Sequence, residues 1–454
     1  MSDRRPNADA VLLRHQPPPW FDDAKLGIMV SWGLYSIPAW APVRGKPGVQ
    51  GEFAEMARGE NVYAEWYENS LRVEGSPTAR WHAERYGDAP YEDFRAPFER
   101  TVDDWDPEPW AELFAAAGAR YVIPLTKHHD GYLLWPSAHP NPFRDEWQVE
   151  RDVIGDLGVA VRERGLRYGL YYSGGFDWTF EPGPIVSDES FLAAIPVKDG
   201  YPEYAAAHVR ELVARYAPSI LWNDVAWPTE DGLSELLVDY LAAVPDGTIN
   251  DRFRVAGAPL AEGRHGRWRA DFSTPEYTSY PDAKSFKWET CRGIGASFSF
   301  NRAEGDEQYL SAGELIRYFV DVVAHGGNLL ISIGPTGDGD IPEPQVSRLR
   351  ALGAWLDING EAIYCSRPWV RTDGQTAEGL ELRFTQQGGS LFALVHGNPA
   401  PSSTVTIPDI PRFDTVEILG PGPVEHEWLG SGLSLVWPAG VAESPAHAIR
   451  LARR

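Results

Sequence analysis

SILWNDVAWP, residues Ser219 to Pro228, is a short apolar run that stops on an acid between two tryptophans. Ile220, Leu221 and Trp222 suit a buried strand, Asn223 and Asp224 end it, and the proline and acids after Trp227 belong to a loop. A carboxylate at the C-terminal end of a barrel strand is where such folds keep their chemistry. On the motif alone, an Asp that caps the next turn is the plainer reading. The surrounding chain shifts that balance.

Outward from this stretch, helical and strand patterns alternate. DVIGDLGVAVRERG, LRYGLYYS and EYAAAHVRELVARY precede it as helix, strand and helix, and GLSELLVDYLAAV and TINDRF follow as helix and strand. Further upstream, KLGIMVSW (Lys25 to Trp32) reads as a first strand, and a Gly- and Pro-broken segment to about Gly59 reads as a long loop. NVYAEWYENS is helical or irregular, Asp106 to Gly118 is a helix with early Pro, first-turn acids and a Gly stop, and ARYVIPLTKHHDG is strand and loop. Downstream lie a less regular region (Arg254 to Asn301), helix SAGELIRYFVDVVAHGG, strand NLLISIGP and a helix from about Glu343 to Asn359. The fold class is therefore α/β: a polar leader over 1–20 and a (β/α)8-like barrel over 21–362, with an open doubly wound sheet as the alternative. From Ser366 the pattern turns to period two with turn signals, as in LELRFTQQGGSLFALVHG, which predicts a C-terminal antiparallel β-sandwich over 366–454.

The 454 residues carry 43% hydrophobic side chains, enough for a sizeable core, and a formal net charge of -24. So negative a surface argues against nucleic acid or an anionic membrane as partner and makes a neutral substrate natural. Cys291 and Cys365 are too few and too far apart for a disulfide framework or thiolate metal site and read as buried thiols. No metal and no cofactor are expected. The leader lacks an apolar core of signal-peptide length and no later run reaches membrane-span length, so the expected location is cytoplasmic. Many of the 18 tryptophans lie beside His, Asp or Glu, a composition suited to the C–H faces and hydroxyls of a sugar.

Three further motifs bear on chemistry. In TKHHDGYLLWPS, His128 and His129 stand where a strand meets its loop; neighbours on an extended chain point to opposite sides, so they suit hydrogen bonds to a polar substrate better than a shared metal. DFSTPEY offers Glu276 between aromatics, where partial shielding lets a carboxyl keep its proton as a general acid must, although a surface Glu is the plainer reading in isolation. HGGNLLISIGPTGDGDIP lacks the GxGxxG and GK[ST] phosphate patterns, so Gly334, Gly337 and Gly339 read as loop geometry.

Taken together, WFDDAKLGIMVSWGLYSIPAW, AEWYENSLR, AGARYVIPLTKHHDGYLLWPS, GLYYSGGFDW, LWNDVAWP, TCRGIGASFSFNRAEG and GGNLLISIGPTGDGDIP make the chain resemble glycoside hydrolase family 29, the α-L-fucosidases, from about Trp20 to Trp369. The resemblance implies a barrel with a C-terminal β-sandwich and a retaining double displacement without metal or cofactor. It places the nucleophile on Asp224 and the acid/base on Glu276. Sugar-binding positions fall on Glu65, Trp66, His128, His129, Tyr171, Trp222 and Arg252, with Phe298 and Trp222 lining an apolar pocket for the methyl group of a 6-deoxy sugar. Family members often assemble as homo-oligomers; no segment here decides that.

Ser31 departs from the family, which typically has His in that motif, where it resembles a ligand for the sugar's hydroxyl edge. A buried polar contact removed costs about 1–3 kcal/mol, enough to change preference between epimers. A glycosidase for a sugar epimeric at C4 is therefore one alternative, and a non-catalytic sugar-binding relative is another. A barrel lyase or aldolase would want a strand-end lysine, for which Lys127 is available.

Overall fold

The computed structural model describes residues 8–43, 60–255 and 270–453. Eight parallel staves form a barrel: Leu26–Val30, Tyr121–Lys127, a third stave in two pieces (Arg167–Tyr168 and Leu170–Tyr172), Ile220–Asn223, Thr248–Ile249, Phe272–Ser273, Lys287–Gly293 and Gly327–Ile333. They follow one another around the sheet in chain order, and the first pairs with the eighth from Leu26↔Leu329 to Val30↔Ile333. Between the fifth and sixth the pairing narrows to one parallel bridge, Asn250 to Phe272. That bridge completes the ring, and the open-sheet alternative fails.

The first, second and eighth staves are buried at every residue, because helices cover them outside and side chains fill the barrel inside. Helices Glu108–Ala116, Val153–Glu163, Tyr201–Tyr216, Leu233–Ala243, Ala312–Ala324 and Glu343–Asn359 form the outer layer. Their starts carry the expected chemistry. Asp152 accepts from the Gly155 N–H at 2.9 Å, and Ser311 with Glu314 closes a capping box.

Three segments differ from what the sequence predicts. The region from Arg254 to Asn301 supplies two staves, one only two residues long and the other, KWETCRG, too charged to show an apolar run. Within the leader, Ala8–Leu12 is a helix, and its Asp9 accepts from the Ser234 hydroxyl at 2.6 Å. The long loop after the first strand begins with a 3-10 turn at Leu34–Ser36, and residues 44–59 of it lie outside the described residues.

Beyond the barrel, six antiparallel strands (Arg367–Gln375, Glu381–Gln387, Ser390–His396, Ala446–Ala452, Thr415–Ile418 and Gly422–Pro423) make one sheet, and Thr404–Ile407, Gly432–Val436 and His426–Leu429 make another. Leu382, Phe384, Val405, Ile407, Leu433, Leu435 and Ile449 form a core of their own. The barrel's last helix meets this layer through Trp355 Nε1, which donates to the Ala446 carbonyl at 2.8 Å.

One thiol expectation needs correcting. Cys291 is buried, but Cys365 is exposed, at a left-handed φ of 58° in the turn that leaves the barrel. Among the described residues, no helix is long and apolar enough to cross a membrane.

Candidate active site

The fourth stave ends at Asn223, so Asp224 leaves the barrel at its C-terminal mouth. Both of its carboxylate oxygens are engaged. Oδ1 accepts from Arg252 Nη1 at 2.6 Å and from the Val225 N–H at 2.7 Å, and Oδ2 accepts from the Tyr171 hydroxyl at 2.5 Å. Tyr171 comes from the neighbouring third stave, stacks on Trp222 at 5.4 Å, and is pushed well above the ordinary tyrosine range by burial and by Asp224. It is a donor to Asp224 across the working pH range.

Arg252 joins the two carboxylates. Its Nη2 reaches Glu276 Oε1 at 2.5 Å, its Nε donates to the Thr274 hydroxyl at 2.9 Å, and its guanidinium lies over Trp222 at 4.6 Å. A planar fork with five donors suits this bridging as an ammonium does not. Glu276 is the more open carboxylate, its side chain 26% exposed against 14% for Asp224. Glu276 therefore stands nearer the mouth and Asp224 deeper.

The residues after the two carboxylates, Val225 and Tyr277, have φ of 64° and 52°. A β-branched residue in that region is an outlier, and strained backbone of this kind persists where packing over-determines it, often at functional sites. Here the kink at Val225 brings its own N–H onto Asp224 Oδ1.

His128 and His129 do not point to opposite sides, contrary to the expectation for an extended pair. Their ring centroids are 3.9 Å apart. The second stave ends at Lys127, and the chain turns immediately, with the Gly131 N–H bonded to the His128 carbonyl at 3.1 Å. Both imidazoles consequently face the site, and burial holds each well below the ordinary histidine range, so both are neutral near pH 7. His129 Nε2 lies 3.8 Å from Asp224 Oδ2. Among the described residues, no group of three or more His, Cys, Asp and Glu side chains is arranged to hold a metal ion. Lys127 belongs elsewhere: its Nζ is buried against Asp177 Oδ2 at 3.0 Å and the Phe176 carbonyl at 3.2 Å, which removes the residue a lyase or aldolase would need.

The remaining predicted positions surround the same space. Glu65 lies on the 3-10 turn Ala64–Trp66; its Oε2 accepts from the hydroxyls of Ser297 and Ser299 at 2.9 and 2.8 Å and from the Ser299 N–H at 3.1 Å. Burial nevertheless raises its pKa. Trp66 packs edge-on to His129 at 5.3 Å and to Trp178 at 5.5 Å. Phe298 contacts Tyr63 and Tyr277 at 5.4 and 4.9 Å. Ser31, one residue beyond the first stave, is buried beside the Tyr35 hydroxyl, and the Tyr35 ring lies 5.3 Å from His128.

Sequence reading missed several supporting residues. Ser297 and Ser299 alternate in ASFSF, a period-two signal that places both hydroxyls on one side of an extended segment. Ser173, the first residue after LYY, bonds His129, and Trp178 adds a buried wall. Below the site, Glu289 projects from the seventh stave into the barrel, accepting from Trp222 Nε1 at 3.2 Å and from the Tyr121 hydroxyl. Burial raises its pKa to about 7. KWETCRG carries no pattern that marks this one glutamate as interior.

Two carboxylates of unequal exposure, linked through one cation at the mouth of a parallel barrel and walled by indole, phenol and imidazole rings, define a glycoside hydrolase. The family model for alpha-L-fucosidase matches residues 4–361. Tissue alpha-L-fucosidase of Macaca fascicularis is 33% identical over 415 residues, covering 86% of this chain and 78% of that protein. Two structures of Thermotoga maritima alpha-fucosidase, one with a mechanism based inhibitor and one with fucose, are each 40% identical and cover 97% of this chain and 98% of theirs, with TM-scores of 0.85 and 0.84. The chain belongs to the alpha-L-fucosidase family.

Proposed function

We propose that the chain is a retaining exo-acting hydrolase of terminal α-L-fucosides. The observation that carries this reading is that Asp224 and Glu276 accept from the two Nη atoms of one guanidinium. A span of that kind suits the roughly 5–5.5 Å carboxyl separation of a double displacement better than the wider gap that admits a water between acid and base. Fucose bound in the Thermotoga maritima relative supports the choice of sugar.

In the first step an Asp224 oxygen attacks the anomeric carbon while the glycosidic bond breaks, and Glu276 gives its proton to the departing oxygen. A fucosyl ester on Asp224 results. In the second step Glu276, now ionised, takes a proton from water as that water attacks the same carbon, and Asp224 leaves as carboxylate. Arg252 and Tyr171 hold Asp224 before the reaction and receive it again afterwards, so little reorganisation is needed.

Hydrolysis of aryl α-L-fucoside and aryl 6-deoxy-α-L-glucoside, with Asp224→Ala as the blank, tests this assignment. The expected result is turnover with preference for the fucoside, with the α-anomer of fucose formed first. Preference for the 4-epimer would make Ser31 a specificity determinant, and Ser31→His would then restore fucoside preference. No turnover of either sugar would return the weight to a sugar-binding role.

A further inference from the structure

His129 is held from behind. Its Nδ1 lies 2.7 Å from the Ser173 hydroxyl, and that hydroxyl in turn lies 2.8 Å from the Phe176 carbonyl oxygen. A carbonyl oxygen only accepts, and a serine hydroxyl has one proton, so the shorter chain of bonds closes only if Ser173 donates to Phe176 and receives from Nδ1–H. A neutral imidazole carrying its proton on Nδ1 presents a lone pair at Nε2. Nε2 faces the site, 3.8 Å from Asp224 Oδ2. The opposing influence is the Asp224 charge, which favours a proton on Nε2. At 3.8 Å that is a contact beyond hydrogen-bond length, set against two bonds of 2.7 and 2.8 Å on the other side.

We infer that Ser173 is a positioning residue that fixes His129 as the Nδ1–H tautomer, so that Nε2 and Asp224 Oδ2 together form a pair of acceptors selective for a sugar hydroxyl that donates. The inference rests on the glycosidase reading for the identity of the ligand, but not for the tautomer. Two acceptors side by side leave nothing for an ether, fluoro or deoxy position to bond, and a buried acceptor left unpaired is the stronger source of discrimination. The arrangement follows from the end of the third stave at Tyr172: Ser173 is the first residue beyond it, and its N–H is still bonded to the Lys127 carbonyl at 3.0 Å. That backbone bond sets Ser173 directly behind the residue pair that follows Lys127. The Phe176 carbonyl keeps Lys127 Nζ at 3.2 Å and the Tyr201 hydroxyl at 3.5 Å, so deleting the serine hydroxyl leaves no orphaned carbonyl.

The test is 15N NMR of the full chain labelled at its histidines, with the His129 signals assigned by comparison with His129→Gln. In the wild type at about pH 7, Nδ1 shows a protonated-nitrogen shift and Nε2 a lone-pair shift. Ser173→Ala moves both toward averaged values and lowers kcat/KM on aryl α-L-fucoside about 10-fold, and Ser173→Thr restores both. When L-fucose is bound, as monitored by calorimetry, the Nε2 shift moves as it accepts a hydroxyl. A proton on Nε2 in the wild type overturns the inference, as does a Ser173→Ala tautomer like the wild type's or an Nε2 signal unmoved by bound fucose. A wild type that binds no fucose and hydrolyses no fucoside contradicts the proposed function, while the tautomer result still decides the role of Ser173.

Discussion

Asp224 and Glu276 hold the same guanidinium: Arg252 gives Nη1 to the first at 2.6 Å and Nη2 to the second at 2.5 Å. The cation thereby sets both the spacing and the mutual orientation of the two acids.

Arg252→Lys keeps the charge but loses the fork, and an ammonium reaches only one of the two carboxylates well. The expected loss in kcat/KM is about 100-fold with the fold intact by circular dichroism. Burial works against the Arg252 charge, but Glu276 and Asp224 outweigh it and hold the guanidinium proton more tightly than usual. Arg252→Met removes both bonds to the carboxylates and should cost at least as much in kcat/KM as Arg252→Lys. An Arg252→Lys variant as active as the wild type would show that the fork is not what sets the two acids.

Glu289 makes stability depend on pH. Its native value of about 7 lies above the ordinary 4.5, so between those values the folded chain keeps a proton that the unfolded chain releases. Stability from this group is full below pH 4.5 and falls as pH rises toward 7. Glu289→Gln mimics the protonated acid, and its melting temperature should gain on the wild type's between about pH 5 and about pH 8, by the equivalent of roughly 1–3 kcal/mol. A difference constant with pH contradicts the assignment.

Gly334 marks a close approach of two backbones. A β-carbon there would lie 1.8 Å from the Phe300 nitrogen and 2.3 Å from the Ser299 carbonyl carbon, atoms that no rotamer change can move aside. Ser299 also holds Glu65. Gly334→Ala should cost about 3 kcal/mol or more in denaturant unfolding and lower activity in the fraction that folds. A neutral substitution would mean that the 299–300 segment yields freely.

Most of the barrel was legible because apolar strands such as Tyr121–Lys127, Ile220–Asn223 and Gly327–Ile333 alternate with helical patterns. Asp224 was legible for a related reason: Asn223 and an acid after the apolar Ile220, Leu221 and Trp222 stand out as a strand end. The two staves at Phe272–Ser273 and Lys287–Gly293 were hidden, since a two-residue strand has no period and KWETCRG alternates charge with apolar side chains. Glu289 is interior only because Tyr121 and Trp222 come to it from other staves, a tertiary fact with no local signal. The facing of His128 and His129 was misjudged because the chain turns one residue after Lys127, and strand alternation no longer applies. Ser31 was visible as a departure, but its neighbour Tyr35 was not, because a tyrosine four residues along in a loop gives no sign of where its hydroxyl lies.

In the proposed mechanism Asp224 forms the covalent bond to the sugar. Reaction with a 2-fluoro-α-L-fucosyl fluoride, which slows the second step more than the first, followed by peptide mass mapping tests it most directly. One fluorofucosyl group per chain is expected, carried by the peptide containing Asp224, and none on Asp224→Ala. An adduct on another carboxylate, or active enzyme that turns over fucoside without ever carrying the label, would contradict it.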